Sequence, residues 1–237
     1  MKLYDAIIEK TQAAFAGLTP ARWAGGTAQP WEDAGASELV LLRDAAFELG
    51  ATGSVNYTCV TTSDELVPAD TIELYGPDLP AIRGDCRFAR IAILSVDDPG
   101  GDEDAYNAVR ALEFVRYHVF PKGYMVRVSS ESNQEQVRLS KKALRDGISF
   151  RRVGEDYLKK YRELPGVRHV RLIFAVDPPE IKTLVQNAKQ VDTITKTLTH
   201  ILDGIPLDCG HCAMKPVCDE VDGMREAHMG RLKERQS

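Results

Sequence analysis

No stretch of this chain approaches the ~18 consecutive apolar residues that a membrane helix requires. The longest candidate, Phe88 to Val96, is broken by Arg90. The opening Met1-Lys2-Leu3-Tyr4-Asp5 puts an acid where a signal peptide carries its apolar stretch, so a cytoplasmic location is expected. Positive charge is in short supply as well: 30 Lys and Arg against 35 Asp and Glu leave a net charge of −5. A generic nucleic-acid binder needs the opposite balance, so no nucleic-acid partner is expected, and no membrane partner either. The pattern Gly-x-Gly-x-x-Gly is missing, and Gly100-Gly101 reads as a turn rather than a phosphate loop. No internal repeat or low-complexity tract is present. Five cysteines do not make a disulfide framework in a reducing cytoplasm. What remains is a globular chain of 237 residues, 43% apolar, long enough for one large domain or two small ones.

Three of the five cysteines fall within ten residues: Cys209-Gly210-His211-Cys212, then Cys218. A pair spaced in this way curls into a turn from which both sulfurs reach one centre ~2.3 Å away. Gly210 supplies backbone freedom inside the turn, and Pro216 stiffens the return to the third sulfur. A metal or iron–sulfur centre is the reading this spacing favours over a redox dithiol, because no strand runs directly into the pair. His211 sits inside the turn and is expected to face solvent. His228 is a candidate fourth ligand. One continuous helix from Cys218 would carry it ~15 Å away, but a helix starting at Gly223, capped by Asp222, would let it return. Cys86, in Arg83-Gly84-Asp85-Cys86, is a long-range alternative, whereas Cys59 in a strand reads as a small core residue. Spacing alone leaves iron–sulfur and zinc level.

Along the chain, Lys2 to Phe15 has helical spacing of apolar residues, and residues 16–36 form a Gly- and Pro-rich arm holding both tryptophans, Trp23 and Trp31. Glu38–Leu42, Ser54–Thr61, Thr71–Tyr75, Phe88–Val96, Tyr124–Val128 and Val170–Val176 read as strands separated by turn residues. Asp104–Phe120, Gln136–Arg145, Glu155–Leu164 and Glu180–Leu202 read as helices, the third ended by Pro165-Gly166 and the last started by Pro178-Pro179. A charged helix is expected at the C-terminus. The order predicts an α+β fold: a mixed, largely antiparallel sheet with flanking helices and a C-terminal cysteine-rich metal loop. Three segments follow: 1–35 as helix and arm, 36–204 as the main α/β domain, 205–237 as the cysteine-rich tail.

Ala46-Phe47-Glu48-Leu49 and Ile72-Glu73-Leu74-Tyr75-Gly76-Pro77-Asp78-Leu79 resemble the middle domain of the β subunit of carbon monoxide dehydrogenase/acetyl-CoA synthase. So does Val137-Arg138-Leu139-Ser140-Lys141-Lys142-Ala143-Leu144-Arg145-Asp146-Gly147, continuing through Phe150 to Gly154-Glu155. The order of the motifs is the family's, and the resemblance spans residues 38–228. It implies a [4Fe–4S] cluster on Cys209, Cys212 and Cys218. The gap before Cys218 is shorter than in the family, and His228 stands where the family has its fourth cysteine. The family's nickel site draws on a further domain with a Cys-Gly-Cys element, which this sequence does not contain, so nickel is not expected. The resemblance also implies coenzyme A bound near arginines and an aromatic residue, here Arg138, Arg145, Arg151, Arg152 and Tyr124. Against that, a run of charges commonly forms a solvated helix face with pairs such as Glu155–Lys159.

The expected role is therefore an iron–sulfur accessory protein in corrinoid- or CO-linked one-carbon metabolism, acting by electron transfer or by docking to a corrinoid protein or another pathway subunit. Acetyl-CoA synthesis by this chain alone is not expected. Two alternatives stay open: an acyl- or methyl-transfer enzyme with an open iron site, and a non-catalytic module with structural zinc.

Overall fold

Every residue of the strand Cys86–Val96 (β4) except Arg87 is buried, which requires cover on both faces of the sheet around it. The computed structural model describes residues 2–98, 102–129 and 132–203. The cysteine loop, His211, His228, the Gly100-Gly101 turn and the expected C-terminal helix lie outside those residues.

Six further strands join β4: β1 (Ala21–Ala24), β2 (Ala45–Thr61), β3 (Thr71–Tyr75), β5 (Tyr124–Val128), β6 (Glu135–Ser140) and β7 (Val167–Val176). Their spatial order is β1-β3-β7-β4-β2-β6-β5. Four of the six neighbouring pairs are antiparallel, and β2–β4 and β3–β7 are parallel. The sheet is thus mixed and largely antiparallel, with flanking helices, as the sequence predicts.

Adjacent strand residues face opposite layers. On one face Phe88 stacks on Phe150 and Arg90 lies 4.5 Å from the Tyr157 ring, both on helix α4 (Phe150–Arg162). On the other, Tyr57 bonds Thr11 of helix α1 (Asp5–Ala14), and Thr11 bonds Asn187 of helix α5 (Ile181–Asp203). Helix α2 (Asp102–Phe114) packs beside α5, and the short α3 (Lys141–Arg145) lies against β6 and β2. The fold is a three-layer α/β/α sandwich.

Helix α4 shows how local signals set this packing. Ser149 caps it by accepting from Arg152 N, and Asp78 Oδ1 accepts from Phe150 N at 2.8 Å. Phe150, Val153, Gly154, Tyr157, Leu158 and Tyr161 recur at helical spacing and are buried. Gly154 is required here: a Cβ would stand 2.8 Å from two Ile72 side-chain carbons. The arm crosses the outer side of α4. Glu155 accepts from the backbone N–H groups of Gly26, Thr27 and Ala28, and Arg152 stacks on Trp31 at 4.3 Å. Glu155 is therefore not half of a solvated pair with Lys159; its carboxylate anchors the arm.

Three expected elements differ. Glu38–Leu42 is not a strand: it is an extended segment leading into a 3-10 turn at Leu42–Asp44, with Leu42 74% exposed. Gln136–Arg145 is helical only over α3, because β6 takes its first half. The expected helix to Phe120 stops at Phe114 and passes through a 3-10 turn at Val115–Tyr117. Strand β2 also begins nine residues before Ser54, bridging an irregular stretch in which Gly50 (φ 80°) and Gly53 (φ 136°) take left-handed backbone angles.

Candidate functional site

The residues that the resemblance assigns to coenzyme A occupy different parts of the sandwich. Tyr124 on β5 is only 2% exposed, and its hydroxyl has no hydrogen-bond partner. Tyr124 pairs with Leu139 in register, so the neighbouring Arg138 on β6 points to the opposite face. Arg138 donates to Glu48 Oε1 at 2.5 Å and to Val40 O at 3.0 Å. Arg151 and Arg152 lie together on the first turn of α4, holding the arm through Thr27 O and Gln29 O. Arg145 is exposed at the end of α3. Only Arg151 and Arg152 share a surface.

Of the cysteines, Cys59 is fully buried in the core, and burial raises its thiol pKa far above the ordinary range. Cys86 at the start of β4 is buried too, its thiol pushed up to about 11 by burial and by Asp177. Both are free thiols. Among the described residues no group of three His, Cys, Asp or Glu could hold a metal. The expected ligands Cys209, Cys212, Cys218 and His228 lie outside the described residues.

Two features carried no local sequence signal. The first is a buried ion pair. Arg90 Nε donates to both Glu135 oxygens at 2.8 and 2.9 Å and Nη2 to Oε2 at 2.5 Å. Burial alone would lower the Arg90 pKa, but the Glu135 carboxylate outweighs it and holds the guanidinium firmly protonated. The hydroxyls of Tyr124 and Tyr157 lie near this pair without hydrogen-bond partners, and that of Tyr161 lies against Arg90 and Thr58.

The second is a cleft of about 350 Å³ between α2, the turn Val115–Tyr117 and α5. Arg110, Glu113, Arg116, Asp192, Thr195 and Lys196 supply its polar lining, and Phe114, Tyr117 and Val191 its apolar lining; Tyr57 and Asn133 complete it. Asn133 adopts φ 50°, a left-handed conformation that Asn tolerates better than most residues. Its carbonyl accepts from Asn56 N at 2.8 Å, and its amide donates to Ala188 O at 3.3 Å. Glu113 lies 3.2 Å from Thr195 Oγ1, which also contacts Tyr4 Oη at 3.2 Å. Burial raises the Glu113 pKa against the opposing pull of Arg116, Thr195 and Arg110.

Charge in the cleft is unevenly paired. Lys196 bonds Asp192 at 2.7 Å, and Arg110 lies 3.7 Å from Glu113. Arg116 has no carboxylate within 4.0 Å among the described residues; its Nη1 donates to Asn56 Oδ1 at 3.2 Å and its plane lies over Tyr117 at 5.0 Å. Arg116 Nε and Asn56 Nδ2 are both buried without partners. A buried donor left unsatisfied costs about 1–3 kcal/mol, so two together mark a place where an acceptor is wanted. Arg116, Glu113 and Lys196 are ordinary surface-helix residues in sequence; only the packing of α2 on α5 brings them together.

No protein-family model matches this chain, and no curated protein matches it.

Proposed function

We propose that this chain is an iron–sulfur-binding accessory protein related to the acetyl-CoA synthase β subunit, serving corrinoid- or CO-linked one-carbon metabolism by electron transfer or by docking to a corrinoid protein. The observation that carries the reading is the set Cys209, Cys212 and Cys218 within ten residues, in a chain whose other two cysteines are locked in the core. Three thiolates from one short segment suit an iron–sulfur cluster, which would supply one-electron transfer when bound. The donor set with His228 as fourth ligand also suits zinc, which is the second reading. Helix α5 runs to Asp203, six residues before Cys209 in the sequence. Exposed Arg145 remains available for a phosphate of coenzyme A.

The test is elemental analysis and visible absorption of the full chain purified without oxygen. Iron and sulfide with absorption near ~400 nm are expected, without stoichiometric nickel. Cys209→Ser, Cys212→Ser and Cys218→Ser should each remove most of the metal, while Cys59→Ser leaves it in place. His228→Cys should preserve the centre and His228→Ala loosen it if His228 is a ligand. A colourless protein holding one zinc would establish the second reading; full occupancy in two of the three clustered variants would remove both.

A further inference from the structure

The cleft between α2 and α5 has charges arranged for a ligand. We propose that it binds a small organic monocarboxylate, the carboxylate held by Arg116 and the apolar body resting on Phe114, Tyr117 and Val191. Of the three lining cations, Lys196 is neutralised by Asp192 and Arg110 lies against Glu113. Three cations against the two carboxylates Glu113 and Asp192 leave the lining one positive charge in excess. Arg116 is the cation with no carboxylate within 4.0 Å among the described residues, which matches one negative charge rather than the two of a phosphate. A dianion would have to draw Lys196 away from Asp192. The guanidinium is also held in place before any ligand arrives, by Asn56 on one nitrogen and by the Tyr117 ring beneath it. A planar, prepositioned fork is what recognises a carboxylate with two parallel hydrogen bonds.

The rest of the cleft suits the remainder of such a molecule. Phe114 is 55% exposed, a large aromatic surface left open to water at the rim of a concave site. A bound aromatic or aliphatic body would cover it. Glu113 is already engaged, accepting from Thr195 Oγ1 at 3.2 Å and facing Arg110 at 3.7 Å. At about 350 Å³ the volume is at the small end of the range for ligand sites.

Titration calorimetry of the full chain with 3-phenylpropionate and benzoate tests the proposal. Benzamide serves as the uncharged isostere and phenyl phosphate as the dianion. Saturable one-to-one binding of the carboxylates is expected, with benzamide and phenyl phosphate weaker. Arg116→Gln should weaken the carboxylates by about ten-fold or more, the loss expected for a charged hydrogen-bonded pair. Arg43→Gln, at an exposed position outside the cleft, should leave them within about two-fold. If Arg116→Gln does not fold, Phe114→Ala decides: it should weaken 3-phenylpropionate while leaving acetate unaffected. Absence of saturable carboxylate binding, binding undiminished in the decisive variant, or phenyl phosphate binding more tightly than benzoate each overturns the proposal.

Discussion

Replacing Arg90 with Met should be among the most damaging single substitutions in this fold, and replacing its partner as well should rescue much of the loss. Arg90 and Glu135 have side chains 1% and 0% exposed, on β4 and β6 with β2 between them. Three N–H···O contacts of 2.5–2.9 Å join them. Arg90→Met leaves a carboxylate buried without its cation, which costs about 3–5 kcal/mol. Loss of the guanidinium over Tyr157 adds roughly 1–2 kcal/mol. Glu135→Leu strands the guanidinium in the same way. The double variant Arg90→Met/Glu135→Leu removes both desolvated charges and should cost less than either single change, giving a coupling of about 3 kcal/mol. It will not be free of cost, because the buried Tyr124 and Tyr157 hydroxyls then face apolar side chains where the charged pair stood, and Tyr161 loses its contact with Arg90.

Urea unfolding followed by far-ultraviolet circular dichroism and by the fluorescence of Trp23 and Trp31 measures each step, and coincident transitions license a two-state treatment. The single variant carries a second signature. A carboxylate buried without its cation has a raised pKa, so in Arg90→Met the folded state binds a proton that the unfolded state releases above about pH 4. Stability of that variant relative to wild type should then fall as pH rises, by up to about 1.4 kcal/mol per unit. A purely packing-based loss shows no such slope. Additive single and double effects, or a cost below about 1 kcal/mol for Arg90→Met, would refute the reasoning.

Arg90 and Glu135 also mark where the sequence stops being legible. Strand β3 and strand β5 fall where the residue pattern puts them, since each is bounded by turn residues and rich in β-formers. Helix α5 is equally plain, because Pro178-Pro179 fixes its start. Strand β6 was hidden by chemistry: in Glu135-Gln136-Val137-Arg138-Leu139-Ser140 the inward positions are Glu135, Val137 and Leu139. A charged residue at an inward position breaks the apolar alternation unless its partner, 45 residues earlier, is known. Glu38–Leu42 failed in the opposite sense. Its leucines look strand-like, yet among the described residues no strand pairs with it, and Leu39 and Leu42 stay exposed. At β2 the glycines read as turns although the strand runs on through them. The cleft was illegible for a simpler reason: its lining comes from β2, α2, the following turn, the Asn133 segment and α5, and none of these contributes a distinctive pattern.

Gly154→Ala should destabilise the fold. The added Cβ meets Ile72 Cδ1 and Cγ2 at 2.8 Å, an overpacking cost of about 1–3 kcal/mol that exceeds or equals the ~1 kcal/mol gain in helix propensity. A urea midpoint at or above wild type would show that Ile72 moves aside without penalty. Asp156→Asn concerns the contact between α4 and the arm. Burial, and then the nearby Asp33, push the Asp156 carboxyl up to about 7 against Arg152 and Lys159, and its Oδ2 is buried without a partner. A carboxyl whose pKa is higher in the folded than in the unfolded state makes the fold bind more protons between those values, so its stabilising contribution is present at low pH and lost as pH climbs from about 4 to about 7. Asparagine cannot titrate and removes that falling limb. Glu113 has a pKa shifted in the same direction, but it is common to both proteins and cancels in the comparison. The difference in unfolding free energy, variant minus wild type, should therefore rise across this window and level off above it. A difference curve flat in pH would mean that Asp156 is charged in the folded protein at all these values, and that the arm tolerates its carboxylate beside Asp33.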